Sequence, residues 1–274
     1  MKSFTPIFYT FMLLLFVESL FASNQLYSDS NLPDLQNLDT MKYIQAAQAG
    51  NSNSMFNLGL IYENGWTVSQ NTQKSIEWYE KAAQSGHTTA MINLAWIYKK
   101  GELVEENDVL ATEWFIRAAS SGNAEAMYNV GFAYETGDGV VIDKMQAAEW
   151  YQQAAESGHS GGMYGLGNLY FKGQGVIQDY QAALKWYQDA AKKANHGAMY
   201  NIATMYYYGI GVDQDYQLAI NWYKQASHAG STKAMMKIGS MYEDGIGFVK
   251  DTFTAVKWYE KASNGGNFRA MYKL

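Results

Sequence analysis

AMYNVGFAYETGDGVVIDKMQAAEWYQQAAESGH runs from Ala126 to His159, and its ending is written twice: WYQQAAESGH at 150–159 follows WYEKAAQSGH at 78–87 by 72 residues. Tryptophan shows that this distance is two periods of a shorter unit. Trp78, Trp114, Trp150, Trp186, Trp222 and Trp258 are each 36 residues apart, and all are followed by Tyr except the one followed by Phe115. Met55, Met91, Met127, Met163, Met199, Met235 and Met271 form a second series with the same spacing. A fixed period of this length marks stacked repeats. From about residue 50 the chain reads as six copies of one unit, with a seventh begun.

Each half of the unit has a helical period. In the first copy Met55, Leu58, Gly59 and Tyr62 fall at i, i+3, i+4 and i+7, which predicts a helix, A, with one inward face. Gly65 ends it, and later copies place a second glycine in the turn at Gly139, Gly175, Gly211 and Gly247. Asn71, Asn107, Asp143, Asp179, Asp215 and Asp251 share one phase, where a side-chain oxygen can accept the free N–H groups of a following helix. That helix, B, carries Ala147, Trp150, Tyr151, Ala154 and Ala155 at i, i+3, i+4, i+7 and i+8 in the quoted stretch. It stops at Gly50, Gly86, Gly122, Gly158, Gly230 and Gly266, because glycine turns left-handed out of a helix without strain. Ala194 stands at this phase in one copy, with Gly197 displaced, so that turn is expected to differ locally. Gly or Ala at 59, 95, 131, 167, 203 and 239 lets helix A approach a neighbour while the Trp and Tyr of helix B fill the gap beside it. A helix pair of this kind buries its face only by stacking, so the predicted fold is all-α, an α-solenoid.

Together, the Ala-Met-x-Asn-x-Gly start, the Tyr-x-x-Gly-x-Gly-Val turn and the Ala-x-x-Trp-Tyr-x-x-Ala-Ala-x-x-Gly helix resemble the Sel-one-like repeat, a relative of the tetratricopeptide repeat, over residues 50–274. The resemblance implies a right-handed superhelix of about six 36-residue helix-turn-helix repeats that acts as an adaptor. It also implies a protein or peptide partner, commonly in bacterial envelope, signalling or host-contact roles. Some cysteine-rich secreted members have been described as β-lactamases or penicillin binders. An envelope enzyme acting on peptidoglycan or a β-lactam is therefore the competing reading. This chain has neither the cysteines nor an S-x-x-K, S-D-N and K-T-G set, so that activity is not carried over.

The composition narrows the partners. Lys and Arg number 20 against 26 Asp and Glu, a net charge of −6 with no basic run, which disfavours nucleic acid. Before the repeats, MKSFTPIFYTFMLLLFVESLFAS has one early Lys, an apolar run from Ile7 to Val17 and small residues near Ala22, as a secretory signal peptide does. The run is too short for the roughly 18 to 20 residues of a membrane span. The expected organisation is a signal peptide over 1–22, a flexible leader over 23–34, a capping helix over 35–49 and the array over 50–274. An exported protein, periplasmic or secreted, with no span after cleavage follows from this. With no cysteine, packing alone must hold it. The seventh copy stops at Leu274 without its helix B, leaving Met271, Leu274 and the open side around Trp258 and Tyr259 with incomplete cover. That raises two expectations: a longer array, or self-association through this end.

The residues that could carry chemistry mostly have packing roles. His87 and His159 share a phase with Asn123 and Asn267, so each reads as a polar residue starting helix A; no pair has zinc-ligand spacing, and neither metal nor cofactor is implied. The Asp ladder from Asp143 to Asp251 offers one carboxylate per unit, where a cap is needed, whereas calcium needs several oxygens around one ion. What remains is a stripe on helix A, at the positions one, five and eight after the repeat Met, roughly 100° from the core face. It reads Phe56, Leu60, Glu63; Ile92, Trp96, Lys99; Tyr128, Phe132, Glu135; Tyr164, Asn168, Phe171; Tyr200, Thr204, Tyr207; Met236, Ser240, Glu243. Aromatics recur there without the repeat demanding them, and the resemblance to tetratricopeptide arrays, whose helix A lines the concave face, makes this stripe the expected concave, aromatic-lined groove for a protein partner. The candidate protein-binding residues are Trp96, Phe132, Phe171, Tyr200 and Tyr207, with Trp66, which stands in a turn where other copies have Glu102, Asp138, Gln174, Ile210 and Ile246.

Overall fold

The computed structural model describes residues 39–274, and every regular element among them is an α-helix. The signal peptide and leader expected over 1–34 lie outside the described residues. The chain forms two compact units that divide after Ser121. In the N-terminal unit α1 (Thr40–Gln48) precedes two A–B pairs: α2 (Ser52–Asn64) with α3 (Thr72–Gln84), and α4 (Thr88–Lys100) with α5 (Asp108–Ser120). The C-terminal unit stacks four pairs: α6 (Ala124–Thr136) with α7 (Lys144–Glu156), α8 (Ser160–Lys172) with α9 (Tyr180–Lys192), α10 (His196–Tyr208) with α11 (Tyr216–His228), and α12 (Thr232–Asp244) with α13 (Thr252–Asn264). A short α14 (Phe268–Met271) follows. The architecture is an α-solenoid of six helix-turn-helix repeats.

The helix boundaries follow from cap chemistry. Every B helix of the repeats starts from the Asn or Asp read from the sequence; Asn71 Oδ1 accepts the Lys74 N–H at 3.0 Å, and Asp143 Oδ1 accepts those of Met145 and Gln146. The A helices are capped from the histidine phase. His87 Nδ1 accepts the Ala90 N–H and His159 Nδ1 the Gly162 N–H, both at 3.2 Å, as Asn123 Oδ1 does for Ala126 at 2.8 Å. A cap of this kind is worth about 1 kcal/mol over Ala.

The turn at Ala194 departs from expectation. It keeps the pattern of its sisters: Ala194 N–H donates to Ala191 and Asn195 N–H to Ala190, as Gly86 and His87 donate to Ala83 and Ala82. Ala194 simply adopts φ +60°, a left-handed backbone that costs an L-residue about 1–2 kcal/mol. The hydrogen bonds of the turn outweigh the strain, so the geometry survives the substitution.

The core also corrects the sequence reading. Tryptophan sets the period, but the ring that fills the core is the aromatic after it. Tyr79, Tyr151, Tyr187, Tyr223 and Tyr259 are buried, while Trp78, Trp150, Trp186, Trp222 and Trp258 are half-buried; Trp114, with Phe115, is the buried exception. The cause is the small residue on helix A. Each of these Tyr rings in a glycine-bearing repeat packs against that residue: a Cβ at Gly59 would come within 2.4 Å of Tyr79, and one at Gly131 within 2.6 Å of Tyr151. The other tryptophans lie at the margin, where Lys81 and Lys261 cover Trp78 and Trp258 with their charged heads at 4.2 and 4.5 Å.

Candidate functional site

A buried tyrosine must find a partner for its hydroxyl. Tyr151 donates to Glu135 Oε2 at 2.7 Å, and Tyr79 and Tyr259 donate to Glu63 and Glu243 in the same way. In the fourth and fifth repeats that glutamate is replaced by Phe171 and Tyr207, and the partner moves three positions back: Tyr187 donates to Asn168 Oδ1 at 2.8 Å, and the Tyr223 hydroxyl bonds Thr204 Oγ1 at 3.1 Å. The second repeat has Phe115 and no hydroxyl. There Trp96 meets Phe115 edge-on at 5.4 Å, and Lys99 pairs with Asp108 at 2.7 Å. Of the positions five and eight after the repeat Met, whichever serves the hydroxyl leaves the other free. The irregular aromatic stripe has this alternation beneath it.

The structure distributes the candidate residues unevenly. Trp66 leaves the α2–α3 turn to pack, half-buried, against the cluster of Ala47, Leu58 and Ile61. Trp96 is half-buried on α4, with its indole N–H enclosed and unpaired. Phe132 on α6 is 41% exposed. Phe171 on α8 lies edge-on to Tyr180 at 5.3 Å. On α10, Tyr200 leans over Tyr223 at 5.4 Å, and Tyr207 contacts Tyr208 and Tyr216. Trp66 and Trp96 thus belong to the N-terminal unit and the other four to the C-terminal unit, with Tyr200 and Tyr207 sharing a helix. The stripe fails as a groove in the N-terminal unit at Phe56, Leu60 and Ile92, all buried: Phe56 stacks on His87 at a centroid distance of 4.5 Å and meets Tyr79 at a tilt, 5.7 Å away. Their aliphatic and phenyl groups have no hydroxyl to keep at the surface. Near α14, Tyr259 is buried beneath Lys273, which pairs with Glu243 at 3.0 Å, whereas Met271 and Leu274 are exposed.

Two adjoining clefts open on the A helices of the C-terminal unit. One, of about 430 Å³, is lined by Tyr164, His196, Asn201 and Ser231; the other, of about 920 Å³, by Met236, Lys237, Ser240 and Arg269; Tyr200, Thr232 and Lys233 line both. Of these, Tyr164, Tyr200, Met236 and Ser240 stand on the expected stripe, with Tyr200 alone among the candidate binding residues, whereas the cations were not anticipated. A signal for the cations was nevertheless present. The phase two before the Met runs Asn53, Thr89, Glu125, Gly161, Gly197, Lys233, Arg269, and the phase two after runs Asn57, Asn93, Asn129, Gly165, Asn201, Lys237, Lys273. Both turn basic in the last copies, a change that a search for aromatics passes over.

The titratable groups read as structural. Burial pushes the Tyr187 and Tyr223 hydroxyls above their ordinary range, so both remain protonated donors. Burial holds His159 below the usual imidazole value, keeping its Nδ1 free to accept the cap bond. Among the described residues no group of His, Asp and Glu is arranged to hold a metal ion, and no helix is long and apolar enough to cross a membrane.

Comparison with known proteins bears on the repeat itself. No functionally curated protein matches the chain. Among solved structures it is similar to a Sel1 repeat protein from Oxalobacter formigenes, with 31% identity and a TM-score of 0.73, covering 84% of this chain and 66% of that one. It is also similar to a protective antigen of uropathogenic Escherichia coli strains displaying an SLR fold, at 28% identity and a TM-score of 0.57, over 86% of this chain and 58% of that one. The chain therefore spans less than two thirds of the length of either relative. An immunity protein from Pseudomonas aeruginosa shares the fold at 19% identity and a TM-score of 0.51, covering 86% of this chain and 85% of its own. The Sel1 repeat profile matches six times in unbroken register, over 52–87, 88–123, 124–159, 160–195, 196–231 and 232–267, so the chain belongs to the Sel1 repeat family.

Proposed function

We propose that this chain is a non-catalytic scaffold that binds a segment of another protein along its A helices, in an exported setting such as cell-envelope assembly, signalling or host contact. Sel1 repeats typically serve protein–protein interaction, and the observation that carries the reading here is the pair of clefts meeting at Tyr200. Their lining side chains project from helices whose packing is already complete through Ala198, Ile202, Ala203 and Ile238. Two adjoining open clefts that share an aromatic ring suit an extended peptide or a helix. Export rests on the first residues of the sequence, and the description of the E. coli relative as a protective antigen accords with it.

The test is site-specific crosslinking. A photoreactive amino acid replaces Tyr200 in one protein and Lys185, an exposed residue of helix α9, in another. Discrete adducts with another protein should form from position 200 and not from 185. Equal adducts from both, or none from 200, would count against the helix-A face as the binding surface.

A further inference from the structure

The chain carries a net charge of −6, yet no carboxylate lines the two clefts; their formally charged side chains are Lys233, Lys237 and Arg269. None of these three forms an ion pair among the described residues. The Lys237 ammonium instead lies over the Tyr207 ring, 3.7 Å from its centroid, and 5.4 Å from that of Tyr208. Ring faces hold a cation in place but leave its charge uncancelled. Lys233 and Lys237 are also one turn apart on α12, and like charges at that spacing oppose the helix that carries them. Folding asks for neither, and the corresponding phases of the earlier copies hold no cation. The cations therefore have no carboxylate partner and share one depression with Tyr200 and Met236.

We infer that the cleft takes an acidic, extended segment of a partner protein, with its carboxylates over Lys233, Lys237 and Arg269 and an apolar side chain against Tyr200 and Met236. This rests on the scaffold reading above and names the chemistry of the partner. Charge complementarity selects the occupant, because a cleft of uncancelled cations repels basic segments and gains little from neutral ones.

The experiment measures binding of fluorescein-labelled peptides to the full chain. The peptides share one framework bearing Leu and Phe and carry glutamate, glutamine or lysine at the intervening positions. The glutamate peptide should bind more than about tenfold tighter than the other two, with the advantage shrinking as salt is raised. In the variant Lys233→Glu, Lys237→Glu, Arg269→Glu the preference should pass to the lysine peptide. Changing the same three residues to Gln, which asks less of the fold, should abolish the preference for glutamate without creating one for lysine. Equal affinity for the glutamate and glutamine peptides, or an unaltered preference in either variant, overturns the inference. A displayed library of extended peptides separates the two readings: neutral or basic peptides that crosslink at position 200 overturn the acidic partner and leave the scaffold standing, whereas a library that returns nothing removes both.

Discussion

The N-terminal unit, residues 39–121, and the C-terminal unit, residues 122–274, write one repeat over different flanks of helix A. After the repeat methionine the first has Phe56 and Ile92, both buried; the second has Tyr128, Tyr164 and Tyr200, all partly exposed. Polar partners divide the same way. Asn57 Oδ1, Ser75 Oγ, Asn93 Oδ1 and Trp96 Nε1 are the buried side-chain atoms without a hydrogen bond among the described residues, and all four lie in the N-terminal unit. An atom buried in that way costs about 1–3 kcal/mol. The caps and the ring-on-glycine contact are common to both units, so the stacking core tolerates either flank. Variation on the flank is where one copy of the repeat can acquire a surface that another lacks.

The largest effect that can break this comparison comes from truncating the flank itself. Phe56→Ala should cost about 3–5 kcal/mol, the range for a fully buried ring. Tyr128→Ala, at a ring partly in water against Tyr151 and His159, should cost less than half as much. Urea unfolding with hydrogen exchange measures both, and equal losses would erase the distinction. Within one helix, Tyr151→Ala should likewise exceed Trp150→Ala.

Next in size is a pair of opposite signs in equivalent turns. Gly86 has φ +85° and open space where a Cβ would go, so Gly86→Ala should destabilise by about 1 kcal/mol through the backbone alone. Ala194→Gly should stabilise the C-terminal unit by about 1 kcal/mol or less, part of the relieved strain being offset by the freer unfolded chain. Thermal melts decide it. Two changes of the same sign would mean that the turns are not equivalent.

Acidity sharpens the contrast at one phase. Burial raises the Glu63 carboxyl above the usual range, despite the hydrogen bond from Tyr79, so its contribution to stability is fully present below the unfolded value and is lost as pH rises through the raised folded value. Glu243 is lowered by hydrogen bonds from Tyr259 and Lys273, so its contribution is present above the unfolded value and is lost as pH falls through the lowered one. Across the acidic range, Glu63→Gln and Glu243→Gln should change the pH slope of local exchange stability in opposite directions, at α2–α3 and α12–α13. Parallel changes would refute the assignment.

The smallest effect belongs to His159. Its imidazole is held neutral by burial, so the cap is intact above the unfolded value near 6.5 and is lost as pH falls through the lowered folded value, when Nδ1 becomes a donor. His159→Asn, the residue at Asn123 and Asn195, should remove this pH dependence from amide exchange at the start of α8, with a change of no more than about 1 kcal/mol.

The period, the helix limits and the caps were legible because each is set within a few residues: an Asp at a fixed phase accepts its own helix's N–H groups whatever lies beyond. The candidate surface was legible only in part. Tyr200 came forward as a member of the recurring aromatic stripe, whereas Lys233, Lys237 and Arg269 did not, since a single surface lysine means little until its neighbours are known. The alternation of hydroxyl partner between Glu135 and Asn168 was also hidden, because those residues sit at different phases and serve one bond only in three dimensions.

By itself the sequence determined that six helix pairs stack and where each helix begins and ends. Which aromatic enters the core was decided by tertiary structure alone. Trp150 and Tyr151 lie about 100° apart on one helix, and both satisfy a helical period of three or four. The choice goes with the small residue on the facing helix, Gly131 here and Ala203 in the fifth repeat, which leaves the place that the Tyr151 and Tyr223 rings fill, while Trp150 and Trp222 lie half-buried beside them.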